Sequence, residues 1–176
     1  MPRLAVVDPA SATGRAKELF EGPLKGKHFN IFKGLANSGA ALDAYVALSG
    51  ALGHGTLSAK EREALQLAWG QARRCDYCLA AHTAIGKGAG LSDEQTLEAR
   101  RGKMQDAKLD ALVAFGLALH AEQGFVGQQH LDAVRAAGYN DGHIAEVVAN
   151  YALATLTNYF NHVNESVVDF PAAQKL

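Results

Sequence analysis

The stretch SAKEREALQLAWGQARRCDYCLAAHTAIGKG, residues 58–88, contains both cysteines of the chain and its clearest helix signals. Ser58 and Glu61 form the S-x-x-E pattern of a capping box, which predicts a helix running to about residue 73. A second helix is predicted over about 75–87, before the sequence GKGAG. The two arginines between them interrupt the helical pattern, so the second helix can fold back beside the first.

The rest of the chain also favours helix. No proline lies between residues 24 and 170, and Ala and Leu are abundant. No segment shows the alternation of apolar and polar residues that is typical of a strand. We therefore predict an all-α fold and one domain over 1–176. Further helices are predicted over about 10–21, 28–36, 38–53, 106–123 and 128–137, after a second capping box at Ser92 and Gln95, and after Asn140.

Charge and hydropathy exclude several classes of protein. The formal net charge is −1, from 17 Lys and Arg against 18 Asp and Glu, and no basic block occurs, so nucleic acid is not expected as a partner. No apolar run approaches the length of a membrane span, and the first residues are too few and too polar for a secretory signal. We expect a soluble cytoplasmic protein, in which a close cysteine pair is more often catalytic or metal-binding than structural.

Cys75, Cys78 and His82 share one face of the predicted cysteine helix. Each residue of a helix turns by about 100°, so Cys78 lies about 60° from Cys75 and His82 returns to within about 20° of it. Cys78 and His82 are neighbours at spacing i,i+4, which suits a proton acceptor beside a thiol. The helix N-terminus also favours negative charge on these sulfurs.

Two other interpretations of the cysteines stay open. Free cysteine is commonly buried as a small apolar residue, although two at this spacing with a histidine on the same face make chance a weaker explanation. Zinc needs a fourth ligand for a closed structural site, and no second C-x-x-C or paired histidine supplies one. We rank redox chemistry first, inert packing second and zinc third.

Four other titratable residues are weighed as candidate site residues, and only Glu63 is kept as one. Glu63 lies on a face of small and apolar residues in the helix before the cysteines, where a carboxylate usually has a partner. His120 and His162 are interpreted as core histidines, and Arg73 as a helix-terminal cation. The inward face of the last helix is predicted to contain Ile144, Val147, Val148, Tyr151, Thr155, Asn158 and His162.

The pattern E-x(11)-C-x-x-C-x-x-x-H, formed by Glu63, Cys75, Cys78 and His82, resembles the signature of the alkylhydroperoxidase D (AhpD)-like proteins. These belong to the carboxymuconolactone decarboxylase superfamily. The similarity covers a core motif over about residues 40–100, and the tail NYFNHVNESVVDFP is similar to that of peroxidase-related members. Tyr77 departs from the best-known relative, which has a relay histidine just before the second cysteine.

The resemblance implies a fold, an activity and partners. The fold is a helical bundle with a core helical hairpin, assembled into homotrimers or homohexamers. The activity is that of a dithiol peroxidase without metal or other cofactor: Cys78 is peroxidatic, Cys75 resolving, and Glu63 and His82 relay a proton. The expected partners are a small organic hydroperoxide and a dithiol reductant, either a lipoyl protein or a thioredoxin-like protein. True lactone decarboxylases lack the C-x-x-C pair, so its presence argues against that activity.

Two other functional classes remain as alternatives. The chain could be a thiol–disulfide exchange enzyme or redox sensor without peroxidase activity, or a non-catalytic helical assembly module. For the peroxidase, we expect an apolar substrate pocket around the cysteine face, with Tyr151 and Phe160 of the last helix as candidate lining residues.

Overall fold

The computed structural model describes residues 1–176 and contains nine α-helices and no strand. The predicted all-α fold and both capping boxes are therefore confirmed. The helices are α1 (Gly14–Glu21), α2 (Asn30–Leu35), α3 (Gly39–Gly53), α4 (Ala59–Ala72), α5 (Asp76–Gly88), α6 (Asp93–Arg101), α7 (Ala107–Ala121), α8 (Gln128–Ala136) and α9 (Asp141–Asn164).

The first helix begins later than predicted, at Gly14 rather than near residue 10. Asp8 holds the preceding segment in a turn instead. Its side chain accepts a hydrogen bond from the backbone N–H of Ala10 at 3.0 Å, and its carbonyl accepts one from Ser11 at 3.0 Å. Short polar side chains of this kind compete with helix by bonding to nearby backbone groups.

Helix α4 is the centre of the bundle. Residues 64–70 are all buried, and the helix packs against α5, α6, α7 and α9. Trp69 donates its indole N–H to the carbonyl of Gly116 on α7 at 2.8 Å. A Cβ at Gly116 would lie 2.5 Å from a methyl of Leu65 and 3.2 Å from the ring of Trp69, so a larger residue here would force these side chains to shift. A helix buried on every side is a rigid support for any side chain that it carries.

Helices α4 and α5 form an antiparallel hairpin, as the resemblance implied. Arg74 makes the reversal with φ of 53°, in the left-handed region. Gly86 lets α5 lie close to α4, because a Cβ there would be 2.9 Å from Leu91 and 3.4 Å from the Cβ of Glu63. This contact sets the spacing between the two helices at the level of Glu63.

The buried face of α9 differs from the predicted one. Val148 and His162 are exposed, while the buried positions include many amides and a hydroxyl: Val147, Asn150, Leu153, Ala154, Thr157, Asn158, Asn161 and Asn164. The apolar pattern alone therefore misplaced the face by part of a turn. None of the nine helices is both long and apolar enough to cross a membrane.

Candidate active site

Cys75 and Cys78 lie at the start of α5 and form a disulfide, with their Cα atoms 5.3 Å apart. Cys75 is the N-cap residue, and its sulfur accepts a hydrogen bond from the backbone N–H of Cys78 at 3.3 Å. Both residues are only 2% exposed. A thiolate at Cys75 would gain from the helix N-terminus, because the unpaired N–H groups there favour negative charge.

The sulfur of Cys78 has a different partner. The side-chain amide of Asn161, on α9, donates to this sulfur at 3.5 Å. The other side-chain atom of Asn161, Oδ1, is buried and has no hydrogen-bond partner. Sequence analysis did not single out Asn161. Its sequence signal is weak, because α9 contains three other asparagines, at positions 150, 158 and 164.

His82 and Glu63 form a direct pair across the hairpin. Nδ1 of His82 and Oε2 of Glu63 are 2.7 Å apart, and the two side chains are only 19% and 14% exposed. An ionised carboxylate accepts hydrogen bonds only, so Nδ1 carries the proton and Nε2 is the nitrogen left for other chemistry. Tyr45 lies beside this pair, and its pKa is raised by burial and further by the charge of Glu63.

A pocket of about 400 Å³ leads to Cys78 and His82. Its wall is mainly apolar and contains the aromatic rings of Phe29, Phe32, Tyr45, Tyr77 and Phe170. Helix α9 contributes Thr157 and Asn161, not the predicted Tyr151 and Phe160. Those two rings pack elsewhere, Tyr151 against Trp69 with ring centroids 5.3 Å apart and Phe160 against Gly34. We call this cavity the apolar pocket.

The four signature residues thus lie together on one hairpin, at the end of an apolar cavity. The carboxymuconolactone decarboxylase family model matches residues 39–118, a range that contains all four of them. The chain is thus similar to the AhpD-like/carboxymuconolactone decarboxylase superfamily, in sequence over residues 39–118 and in its fold. None of the curated proteins is significantly similar to it in sequence.

Several solved structures share the fold of this chain. An uncharacterized peroxidase-related protein with an AhpD core, from Ralstonia eutropha JMP134, has a TM-score of 0.85 and 22% identity over 96% of this chain and 92% of that one. A peroxidase-related protein from Silicibacter sp. TM1040 has a TM-score of 0.80 and 21% identity over 94% and 89%. The debrominase Bmp8, solved as a Cys-to-Ala variant with 2,3,4-tribromopyrrole, has a TM-score of 0.78 and 16% identity over 95% and 91%.

Tyr77, which occupies the position of a relay histidine in the best-known AhpD-like protein, has a structural partner here. Its hydroxyl donates to Asp169 at 2.7 Å and accepts from the backbone N–H of Ile31 at 3.3 Å. Burial and the bond to Asp169 raise the pKa of Tyr77, so the hydroxyl keeps its proton. Asp169 also accepts from the backbone N–H of Asn30 at 2.7 Å. Tyr77 therefore ties the C-terminal segment to the start of α2.

The bond from Tyr77 to Asp169 also holds the ring of Phe170 in the wall of the apolar pocket. Phe170 stacks on Phe29 with centroids 4.5 Å apart and meets Tyr77 edge-on at 5.8 Å. The segment 165–170, which we call the C-terminal strap, has no helical or strand structure. Its role in the pocket depends on contacts across most of the chain, which no local sequence pattern reveals.

The other singled-out residues lie outside the site. His120 is half-buried and hydrogen-bonds to the hydroxyl of Tyr151 at 2.9 Å, and its pKa is lowered by burial and by the nearby charge of Arg73. His162 is exposed, against our expectation, with Nε2 2.9 Å from the carbonyl of Arg73. Arg73 stacks over the ring of Tyr151 at 4.4 Å. No three His, Cys, Asp or Glu residues are grouped as a metal ion would require.

Proposed function

We propose that this chain is a dithiol peroxidase that reduces organic hydroperoxides with Cys78 as the attacking residue. The observation that carries the proposal is that Cys78 and His82 line the same apolar pocket while His82 is bonded to Glu63 at 2.7 Å. A nucleophile, a base and a residue that orients the base are the three parts of an activated thiol. The pocket supplies an apolar space for the organic group of the peroxide.

The reaction begins with proton transfer from Cys78 to Nε2 of His82. The thiolate attacks the distal oxygen of the hydroperoxide, the O–O bond breaks, and the leaving alkoxide takes up a proton to become an alcohol. Cys78 is now a sulfenic acid. The sulfur of Cys75 attacks the sulfur of Cys78, water leaves, and the disulfide forms.

Glu63 acts through His82. The imidazolium that forms after proton transfer is costly away from water unless an anion is near. The carboxylate of Glu63 supplies that anion, orients the ring and keeps Nδ1 protonated, so that Nε2 is the basic nitrogen. In this proposal Glu63 is a positioning residue and does not touch the peroxide.

An external dithiol then restores both thiols. We propose a lipoyl protein or a thioredoxin-like protein as its source, because a cyclic disulfide product makes the transfer of two electrons favourable. Nothing in the step requires a metal ion or other cofactor.

The test is to mix the reduced protein with cumene hydroperoxide and follow thiol loss by stopped flow. We expect consumption of peroxide far faster than by a simple thiol, no reaction in Cys78→Ser, and one turnover that ends at sulfenic acid in Cys75→Ser. Oxidation no faster than that of a free thiol would leave a thiol–disulfide exchange enzyme or redox sensor as the function. An ordinary thiol pKa on both cysteines would favour the non-catalytic assembly module.

A halogenated aromatic is a second candidate substrate. The aromatic rings around the apolar pocket favour a flat substrate, and the fold is shared with a debrominase solved with 2,3,4-tribromopyrrole. A dithiol can supply the two electrons that replace a carbon–bromine bond by carbon–hydrogen. Bromide release from 2,3,4-tribromopyrrole by the reduced protein, absent in Cys78→Ser, would support this reaction over peroxide reduction.

We also propose that the chain assembles into a homotrimer or homohexamer. Helix α3 is rich in alanine and leucine, yet only Leu42 and Leu52 are buried in it. The outer face of α9 exposes Val148, Tyr159 and Val163. Apolar surface of this extent is typical of an interface, and a second copy of the chain is the simplest partner. Light scattering at micromolar concentration tests this, and a monomer would contradict it.

A further inference from the structure

The Cys75–Cys78 disulfide is bordered by two cavities, and each reaches a different cysteine. The apolar pocket is lined by Cys78 and not by Cys75. An open groove of about 280 Å³ is lined by Cys75 and not by Cys78. We propose that a small aliphatic dithiol, free or carried on a slender arm, enters this Cys75 groove and reduces the disulfide at Cys75. The proposal rests on the proposed function and adds a separate reductant site to it.

Two side chains and the C-terminal strap separate the cavities. Tyr77 and Asn161 line both, so they form the partition between them. The strap continues it, with Phe170 on the side of the apolar pocket and Val168 on the side of the groove. The bond from Tyr77 to Asp169 at 2.7 Å holds the strap in this position.

The two cavities suit different molecules. Aromatic rings dominate the apolar pocket, whereas the groove is lined by two basic and two acidic residues, namely Arg74, His162, Asp76 and Glu165. A polar dithiol is therefore better solvated in the groove than in the pocket. Cys75 is only 2% exposed, so a slender dithiol that enters the groove suits its sulfur better than a broad protein surface does.

The groove gives the reductant access to Cys75, and the sulfur of Cys78 has a hydrogen-bond donor that can stabilise it as the leaving group. A thiolate of the dithiol attacks Sγ of Cys75, the S–S bond breaks, and its electron pair leaves on Cys78. That leaving thiolate receives the hydrogen bond from Asn161, 3.5 Å from the sulfur. A mixed disulfide now joins the dithiol to Cys75.

The second thiol of the reductant completes the transfer. It loses its proton and attacks the reductant's own sulfur in the mixed disulfide. Cys75 leaves as a thiolate, which its N-cap hydrogen bond from the backbone of Cys78 stabilises. The dithiol becomes a cyclic disulfide and the protein gains two electrons, and the two cysteine thiolates then take up two protons to replace those that the dithiol released. Neither step requires the reductant to enter the apolar pocket.

Three tryptophan variants of the full chain test the separate entrances. Val168→Trp narrows the groove, and Ile85→Trp narrows the apolar pocket. Val167→Trp is the matched control, because Val167 is the exposed neighbour of Val168 and lines neither cavity. Each protein is oxidised with diamide, and the rate constant of its reduction by dithiothreitol is measured. The reduced proteins are then mixed with cumene hydroperoxide in a separate experiment.

We expect Val168→Trp to slow reduction by dithiothreitol about tenfold and to leave oxidation by cumene hydroperoxide unchanged. We expect Ile85→Trp to slow oxidation by cumene hydroperoxide about tenfold and to leave reduction unchanged. Equal slowing of both reactions in Val168→Trp, or slower reduction in Ile85→Trp, would overturn the proposal. The reduction arm uses no peroxide, so it remains readable if the peroxidase proposal fails.

Trapping of the intermediate gives a second test on the unaltered chain. The oxidised protein is mixed with 2-mercaptoethanol, quenched with acid within milliseconds and analysed by tandem mass spectrometry. An adduct on Cys75 with Cys78 free is the expected result. An adduct on Cys78 would overturn the assignment of Cys75 as the sulfur that the reductant attacks.

Discussion

The cavities on the two sides of His82 have opposite character. On one side lies the apolar pocket of about 400 Å³. On the other lies a polar chamber of about 220 Å³, lined by Glu63, Arg62, Gln66 and Asn150 among others. The two share four wall residues, Tyr45, His82, Ile85 and Thr157.

In the proposed reaction, this difference would separate the organic group of the substrate from the charge that its reduction requires. A proton taken from Cys78 makes His82 a cation. In an apolar cavity alone that cation would be strongly disfavoured, which would lower the basicity of the ring. Because Glu63 lies behind the ring, we expect its carboxylate to stabilise this charge while the front of the ring faces an apolar space. In the proposed reaction, the wall between the cavities is thus the functional element.

The largest expected effect comes from breaking the charge pair in that wall. We expect Glu63→Gln and His82→Gln each to slow oxidation of Cys78 by about 10²-fold or more, the range of general acid–base catalysis. The double variant should be little slower than either single one, because residues that act as a unit are not additive. The measurement is the rate of thiol loss with cumene hydroperoxide, analysed as a double-mutant cycle.

Glu61→Gln is the control for charge, since Glu61 lies two residues earlier and binds Ser58 and Tyr139 instead of His82. It should leave the oxidation rate unchanged. Effects of Glu63→Gln and His82→Gln that simply multiply would refute the relay. Glu63 would then be only a structural hydrogen-bond partner.

A smaller effect is expected from the polar chamber. Gln66 is 4% exposed, lines the chamber, and its Oε1 has no protein partner. Replacement by Leu removes a polar group from the side where the imidazolium is stabilised, so oxidation should slow about three- to tenfold, the effect of one weakened charge interaction. Leu52→Met, an apolar change in the same chamber, is the control. An unchanged rate in a folded Gln66→Leu protein would show that the chamber plays no electrostatic role.

The wall itself was partly predictable. The spacing of Cys75, Cys78 and His82 follows from helix geometry, and the capping box at Ser58 with the break before Cys75 predicts the hairpin that brings Glu63 to His82. These are local patterns, and a helix converts them directly into positions in space.

The surroundings of the wall were not predictable in the same way. Phe29 and Phe170 are far apart in sequence, and Phe170 lies in a segment without periodic structure, yet they stack in the pocket. Asn158 was predicted on the inward face of α9 and is buried, whereas Asn161 is also buried but was not predicted there. Such contacts depend on the tertiary packing of several helices, which single-sequence patterns do not contain.

The next effect concerns how the apolar pocket selects between peroxides. Phe170→Ala removes a ring that stacks on Phe29, an interaction worth about 0.5–1.5 kcal/mol beyond its buried area. We expect kcat/KM for cumene hydroperoxide to fall about two- to tenfold relative to tert-butyl hydroperoxide, which has no ring to stack. Phe125→Ala, at an exposed ring outside the pocket, is the control. An equal loss for both peroxides would mean that Phe170 does not select the aromatic substrate.

The smallest effect concerns the bond from Tyr77 to Asp169, which holds the C-terminal strap beside the apolar pocket, whereas the polar chamber has no strap residue in its wall. Tyr77→Phe keeps the ring beside Phe170 but removes the hydroxyl that donates to Asp169 at 2.7 Å. The acceptor Asp169 retains the backbone N–H of Asn30, so the strap should loosen without leaving. The hydroxyl also accepts from the backbone N–H of Ile31, so two hydrogen bonds are lost. We expect a loss of about 1–3 kcal/mol in stability and faster amide exchange over 165–170. The preference of Tyr77→Phe for cumene hydroperoxide should fall by less than that of Phe170→Ala. Gln66→Leu should slow oxidation by the same factor in Tyr77→Phe as in the unaltered chain, because the polar chamber does not contact the strap. If amide exchange over the strap is unchanged, stacking of Phe170, and not the bond from Tyr77, keeps the strap in place.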